Sequence, residues 1–282
     1  MNSRKIILII VVSCICLIML IVAFLLGNKT KYYMNSGNIE IYGDYDKNDL
    51  DDEFFGVGNA NIVFKNENIS ITGFGVSVDE DGIIINSSGI FVLSGKTSQK
   101  KILIDVNDNS YVKIILNGLE LTNYNECPIL IKSAKKTIIT LVNGTRNIIN
   151  DFRCEVKDGD DAALVSNSKL TINGNGVLEI NTKETKGILS FGNLKILESN
   201  LNINSINSGI YVNGDFSLKN SNLVVTTEKG GVVSKAYDGA ESSGSIIIEN
   251  GNVKIDNKKG IEKFLADNYI SISNSNVYTT SL

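Results

Sequence analysis

The second half of the chain alternates apolar and polar positions in short stretches, and the stretches recur. Stacking residues 161–185, 186–207, 208–229, 230–258 and 259–280 aligns Leu170, Leu194, Phe216, Ile246 and Ile270 in one column. Two residues on, Ile172, Ile196, Leu218, Ile248 and Ile272 form a second. A third column runs Leu178, Leu201, Leu223, Val253 and Val277, and a fourth Ile180, Ile203, Val225, Ile255 and Thr279. Alternation of period two turns one face of each stretch inward. Recurrence every 22 to 30 residues or so stacks like side chains from unit to unit. Three strands of about five residues plus short turns account for a unit of about 22. The pattern therefore predicts an all-β, three-sided parallel solenoid with coils about 4.8 Å apart. The units lack the Leu/Asn consensus of a leucine-rich repeat, and hairpins of a sandwich would not sustain such columns.

Residues 101–123 and 127–145 read as two earlier coils, and 60–95 as one or two entry coils. Longer inserts are expected at 146–160 and 234–243, where a solenoid usually carries its binding loops. Asn200, Asn222, Asn252 and Asn276 fall at one place before the third strand. They read as a turn ladder, because Asn tolerates left-handed backbone and its amide can bond the next coil. The chain stops soon after the last strand, so the final coil edge should meet a protein partner, a polar self-cap from 279 to 281, or an irregular turn.

The first part follows a different pattern. Arg4 and Lys5 precede a charge-free apolar run at 6–26. About 20 such residues span a bilayer core as a helix. The run exceeds the apolar stretch of a signal peptide, about 7–15 residues, and ends in a poor cleavage site, Leu25-Leu26-Gly27. Val12-Ser13-Cys14 loosely suggests lipoprotein processing, but the apolar run continues well past Cys14. The expected layout is a cytoplasmic tip at 1–5, a single transmembrane anchor at 6–26, a polar acidic stalk at 27–59 and the solenoid domain at 60–282. The basic flank places the tip inside and the large domain outside the cell. Asp44, Asp46, Asn48, Asp51 and Asp52 resemble a calcium-binding EF-hand loop only superficially, since Asp49 and Phe55 stand where that loop needs Gly and Glu.

Composition removes several function classes. The chain has no His, which excludes Ser-His-Asp and Cys-His nucleophile systems. A net charge of −4 gives no electrostatic footprint for nucleic acid. The chain has no Trp, the usual sugar-stacking platform, which leaves Tyr211, beside inward Ile210, and Tyr237 as substitutes.

Several segments resemble a bacterial carbohydrate-binding β-helix family. Gly89-Ile90-Phe91-Val92-Leu93-Ser94-Gly95 is similar to its entry motif, and KIILNGLELTN at 113–123 to its next coil. Ile131-Lys132-Ser133-Ala134, Ile138-Ile139-Thr140-Leu141 and Asn143-Gly144-Thr145 resemble its middle stretch, and Asp160-Asp161-Ala162-Ala163 with Leu170-Thr171-Ile172-Asn173-Gly174 the following one. The resemblance covers about residues 60–282. It implies a right-handed parallel β-helix akin to pectate lyases, extracellular polysaccharide binding including acidic sugars, and calcium held between coils. In the family each later coil opens with an Asp that helps bind calcium. Here those positions are Lys186, Ser208, Gly230 and Lys259, and only Asp161 matches.

The candidate chemistry is sparse. Asp158, Asp160 and Asp161 converge on one turn and form the candidate calcium site; a solvated Asp-Gly turn is the alternative. Arg146 and Arg153 are candidates for carboxylate recognition on a uronate, or for the base of a β-elimination. Lys186 and Lys259 would replace calcium as cations for an acidic glycan. Cys127 and Cys154 are candidates for a disulfide. No pair of carboxylates on the solenoid suggests glycoside hydrolysis. The expected function is binding of polysaccharide without catalysis. The alternatives are a calcium-assisted polyuronate lyase and a structural surface spacer or adhesin.

Overall fold

The computed structural model describes residues 32–34, 45–53, 56, 58–156, 161–236, 243–259 and 262–281. The expected anchor at 6–26 lies outside these residues, as do Asp158, Asp160 and Tyr237. Among the described residues every regular element is a strand, and no helix is long and apolar enough to cross a membrane.

Residues from Tyr32 onward form one compact unit, a parallel β-solenoid. Each central coil contributes one strand to each of three sides. In one coil these are Lys186–Ser190 on the first side, Leu194–Leu197 on the second and Asn200–Ser205 on the third. The columns expected from the repeat are paired in register. Leu170 faces Leu194, then Phe216, Ile246 and Ile270. Leu178 faces Leu201, then Leu223, Val253 and Val277. Their inward side chains are essentially inaccessible up to the penultimate coil. Each fully buried Leu, Ile or Phe contributes about 1.5–3 kcal/mol, so the stacked columns dominate the stability. Where the third side feeds the first, the chain passes very close to its own core. A Cβ at Gly209 would lie 2.3 Å from Val225 Cγ1, so only Gly fits there.

The ends differ from the expectation. Residues 60–95 do not form simple coils. Ala60–Lys65 and Asn68–Gly73 form an antiparallel hairpin, as do Val76–Val78 and Gly82–Ile85. Ala60–Lys65 then pairs parallel with Gly89–Ser98, so the hairpins cover the first edge of the solenoid. The turn at Asn66, at positive φ, reverses the chain in the first hairpin. At the other end Tyr32–Met34 adds a parallel strand to Ile270–Ser273. The second side is thus extended by a piece of the segment expected to be a stalk.

Two details of the coils also change. Arg146–Asp151 belongs to no insert. It is the third-side strand of its coil, in register with Val177–Thr182, with Ile149 in the core. The strand Gly230–Lys235 likewise shortens the second insert. The asparagine ladder forms: Nδ2 of Asn222, Asn252 and Asn276 donates to Oδ1 of the preceding Asn at 2.7, 2.9 and 2.9 Å. The left-handed turn residues, however, are Glu198, Asn220, Asn250 and Asn274, two positions earlier. Asn200 and its counterparts sit at the start of the strand, where an outward amide reaches its copy one coil away.

Candidate functional site

The outward positions of the second side form rows across neighbouring coils. One row reads Lys113, Ile138, Thr171, Lys195, Ser217 and Ile247. A flanking row reads Tyr111, Lys136 and Lys169. On a bare solenoid these side chains would be solvated. Instead Lys113, Ile138, Thr171, Ser217 and Ile247 are buried.

The cover is the acidic segment 45–53, which lies on this face as a strap. It is not a solvated stalk. Its turn is closed locally: Asp46 Oδ1 accepts the N–H groups of Asn48 and Asp49 at 2.8 and 3.1 Å, and Asp49 Oδ2 accepts that of Asp46 at 3.0 Å. The turn presents its carboxylates to lysines of successive coils. Lys113 Nζ lies 3.0 Å from Asp51 Oδ2 and donates to the Glu53 carbonyl. Lys136 Nζ lies 2.9 Å from Asp46 Oδ2 and also contacts Asp49. Lys195 Nζ lies 3.0 Å from Asp49 Oδ2. Thr171 donates to Asp49, and Asn173 Nδ2 donates to the carbonyls of Asp49 and Asp51 at 2.9 and 3.0 Å. The Tyr45 ring takes the ammonium groups of Lys195 and Lys219 at 5.3 and 5.5 Å from its centroid.

Asp49 has no solvent-accessible surface. Burial alone would push its carboxyl up, but hydrogen bonds from Lys136, Thr171 and Lys195 outweigh that and hold it below the ordinary carboxylate value. Asp46 is held down in the same way, against a smaller burial effect, by Lys136 and two backbone N–H groups. Burial pushes the Tyr45 phenol well up, helped by the charge of Glu249. Both carboxylates are thus charged and tied to cations at neutral pH, unlike the raised carboxyl of a general acid.

Beside the strap a cavity of about 360 Å³ stays open. Tyr111 and Tyr269 supply aromatic surface to its lining, Lys135 and Lys169 supply cations, and Asp215 supplies a carboxylate. Lys135 Nζ lies 5.1 Å from the Tyr111 ring centroid. Aromatic surface with a few polar groups is what a sugar ring, apolar on its faces and hydroxylated at its rim, requires.

The residues expected from the sequence do not gather here. Asp161 is paired with Lys186, whose Nζ also lies 5.5 Å from the Tyr211 ring centroid, on the first side. Lys186 thus occupies the one carboxylate of the candidate calcium site among the described residues, and Asp158 and Asp160 lie outside them. Among the described residues no three carboxylate or thiol side chains cluster as metal ligands. Lys259 pairs with Glu228 at 2.7 Å and is likewise engaged within the protein. Arg146 is exposed on the third side and holds Glu179 through two bonds of 2.6 and 2.5 Å. Arg153 is no surface ligand. It is buried, bidentate to Asp151 at 2.8 and 2.7 Å, and donates to the Ala162 carbonyl. Cys127 and Cys154 form no disulfide: Cys127 is buried with Sγ against the Ile129 and Ala162 carbonyls, and Cys154 is exposed beside Lys183. The lysines of the second side were the missed residues. Their outward phase in the second strand, together with the Asp-rich 44–52, was the available signal.

A sequence model of carbohydrate-binding domain-containing proteins matches residues 79–281. The chain belongs to this family. A carbohydrate-binding domain-containing protein of Acetivibrio thermocellus is 32% identical over 151 residues, 51% of this chain and 53% of its own length. The carbohydrate-binding domain chain thus matches about half of that relative. A polysaccharide lyase-like protein from C. thermocellum, solved as a gadolinium derivative, superposes with a TM-score of 0.67 and 26% identity, covering 79% of this chain and 97% of that one. In this carbohydrate-binding domain protein the second-side lysines fall inside the family match, whereas the strap at 45–53 precedes it.

Proposed function

We propose that the protein is a membrane-anchored, extracytoplasmic right-handed β-helix that binds polysaccharide along its second side without turning it over. The observation that carries this reading is the open cavity with Tyr111, Tyr269, Lys135, Lys169 and Asp215 on a regular face. A face built from stacked coils is long and repetitive, which suits an extended polymer better than a small molecule. Family membership supports the carbohydrate as ligand. The charge-free run at 6–26 behind Arg4 and Lys5 supports the anchor and the orientation.

Several features favour binding over catalysis. The shifted carboxyls beside the cavity are committed to lysines, and Arg153, one candidate base, is locked on buried Asp151. The reading assigns nothing to calcium, because Lys186 neutralises Asp161. The test uses the full chain in detergent against an array of neutral and acidic polysaccharides. Binding should weaken about tenfold, about 1.4 kcal/mol, when Tyr111→Ala removes the aromatic wall. No unsaturated uronate should appear in the ultraviolet. Release of that product would make the protein a lyase, and binding indifferent to Tyr111→Ala would move the site elsewhere.

A further inference from the structure

We propose that the lysine face under the strap is a binding site for a carboxylate-bearing polysaccharide, and that Asp46, Asp49 and Asp51 fill it as internal carboxylates until the polymer displaces them. The proposal rests on the carbohydrate reading above and names the substrate class.

Lysines Lys113, Lys136 and Lys195 come from three different coils, all on the outside of the solenoid. Nothing in the coil itself needs them, since the core is complete behind them. Their partners are the carboxylates of a segment 90 and 146 residues away in sequence for Lys136 and Lys195. The strap meets them in succession along the face, Asp51 at Lys113, Asp46 and Asp49 at Lys136 on the next coil, and Asp49 again at Lys195 two coils further on. A linear polymer with a carboxylate on each sugar likewise presents its acidic groups in succession along one line.

The strap is also held by displaceable chemistry. Most of its contacts are ion pairs and hydrogen bonds to Lys, Thr and Asn side chains, joined by the Tyr45 ring against Lys195 and Lys219, whereas Leu50, its one aliphatic side chain, is 60% exposed. A stripped lysine face in water would keep its charges solvated, so departure of the strap creates no buried unpaired charge.

The cavity supplies the entry point. Asp46 and Lys136 belong both to the strap contact and to the cavity lining. Lys135 and Lys169 are exposed there, and no carboxylate pairs with either among the described residues. A uronate bound to these two lysines lies next to the Asp46–Lys136 pair. The following uronates then replace Asp46 and Asp49 in turn.

The chain has no Trp, so Leu50→Trp gives a background-free reporter on an exposed strap position. The detergent-solubilised full chain carrying it is titrated with polygalacturonate and with the fully methyl-esterified polymer, with pull-down recording binding in parallel. Polygalacturonate should change the tryptophan emission saturably and the esterified polymer should not. Asp49→Asn should shift the half-point to about tenfold lower polymer, because the internal competitor is weakened. Lys169→Gln should raise the half-point without changing the emission of the polymer-free protein. Circular dichroism checks that each variant is folded. Should Asp49→Asn not fold, the Leu50→Trp titration still decides. Pull-down of polygalacturonate with unchanged emission makes the strap a fixed part of the fold and overturns the proposal, leaving the carbohydrate reading intact. Equal response to the esterified polymer overturns the carboxylate specificity. Absence of binding to any polysaccharide, with or without Asp49→Asn, overturns both readings.

Discussion

The second and third sides are built from the same coils, yet their outer faces satisfy their polar groups in opposite ways. The third side closes on itself. Its asparagines bond from coil to coil, Arg146 holds Glu179 one coil away, and Lys254 lies 2.8 Å from Asp256 within one strand. The second side has a few coil-to-coil contacts, Thr140 to Asn173 and Lys219 to Glu249, but its Lys113, Lys136 and Lys195 are paired from outside the repeat, by a strap from far upstream. A face completed by its own copies is a structural surface. A face whose lysines are paired by a segment from outside the repeat is the one on which a competing acidic ligand would act under the proposal above.

The largest test strikes what the two sides share. Phe216→Ala empties a fully buried site between Leu194 and Ile246 and should cost about 3–5 kcal/mol in urea unfolding. Strap and asparagine ladder should be lost together. If the strap came away while the coils held, the core would not be common to both faces.

Next comes Asp49→Asn, which separates the faces. Removing one partner of a buried pair costs up to about 3–5 kcal/mol when the other charge stays buried. Here the strap can lift and let water reach Lys136 and Lys195, so the global effect should be smaller than for Phe216→Ala. Hydrogen exchange should show faster exchange at 45–53 and unchanged protection of the third-side strands. Slower melting of the strap than of the coils would contradict this.

The same separation should appear with acid. Asp46 and Asp49 have carboxyls held below their unfolded value, so they contribute stability that is fully present above about pH 4 and lost as pH falls through their folded values. Proteolysis at 45–53 should therefore accelerate below about pH 4, before the far-ultraviolet signal of the strands changes. Asp256 is also lowered, by Lys254 and Thr280, but it lies on the third side, where its protonation releases no segment.

The sequence displayed the two faces unequally. Every column from Leu170 to Ile270 and from Leu178 to Val277 was legible, because period-two alternation and repetition report the inward face directly. The asparagine ladder was legible for the same reason. The strap was not. Residues 45–53 have no periodicity, and an Asp-rich stretch is normally solvated. Its partners, from Lys113 to Lys219, are spread over five coils, and no single coil reveals that its outward lysine will meet Asp49. Arg153 was misread for a related cause: a guanidinium in a loop looks exposed until the fold turns it onto Asp151. The strand at Arg146–Asp151 is hidden in the sequence because two of its three inward, buried positions are polar, Asn147 and Asp151, which leaves Ile149 alone to mark the core face.

The smallest effect should come from Asn222→Ala on the third side. It removes two amide bonds, to Asn200 and from Asn252, at an exposed position. Water replaces both partners, so the loss should stay near or below about 1 kcal/mol in urea unfolding. The neighbouring pairs persist: the Asn276 amide still meets Asn252, and Asn181 still bonds Asn150 and receives Asn204. Polysaccharide binding should be unchanged, because nothing on the third side reaches the lysine face. A large loss of stability would mean that the ladder, and not the core beneath it, sets the coil register. A loss of binding at unchanged stability would carry the polymer around to the asparagine face, and the contrast between a self-completed side and a receiving side would then collapse.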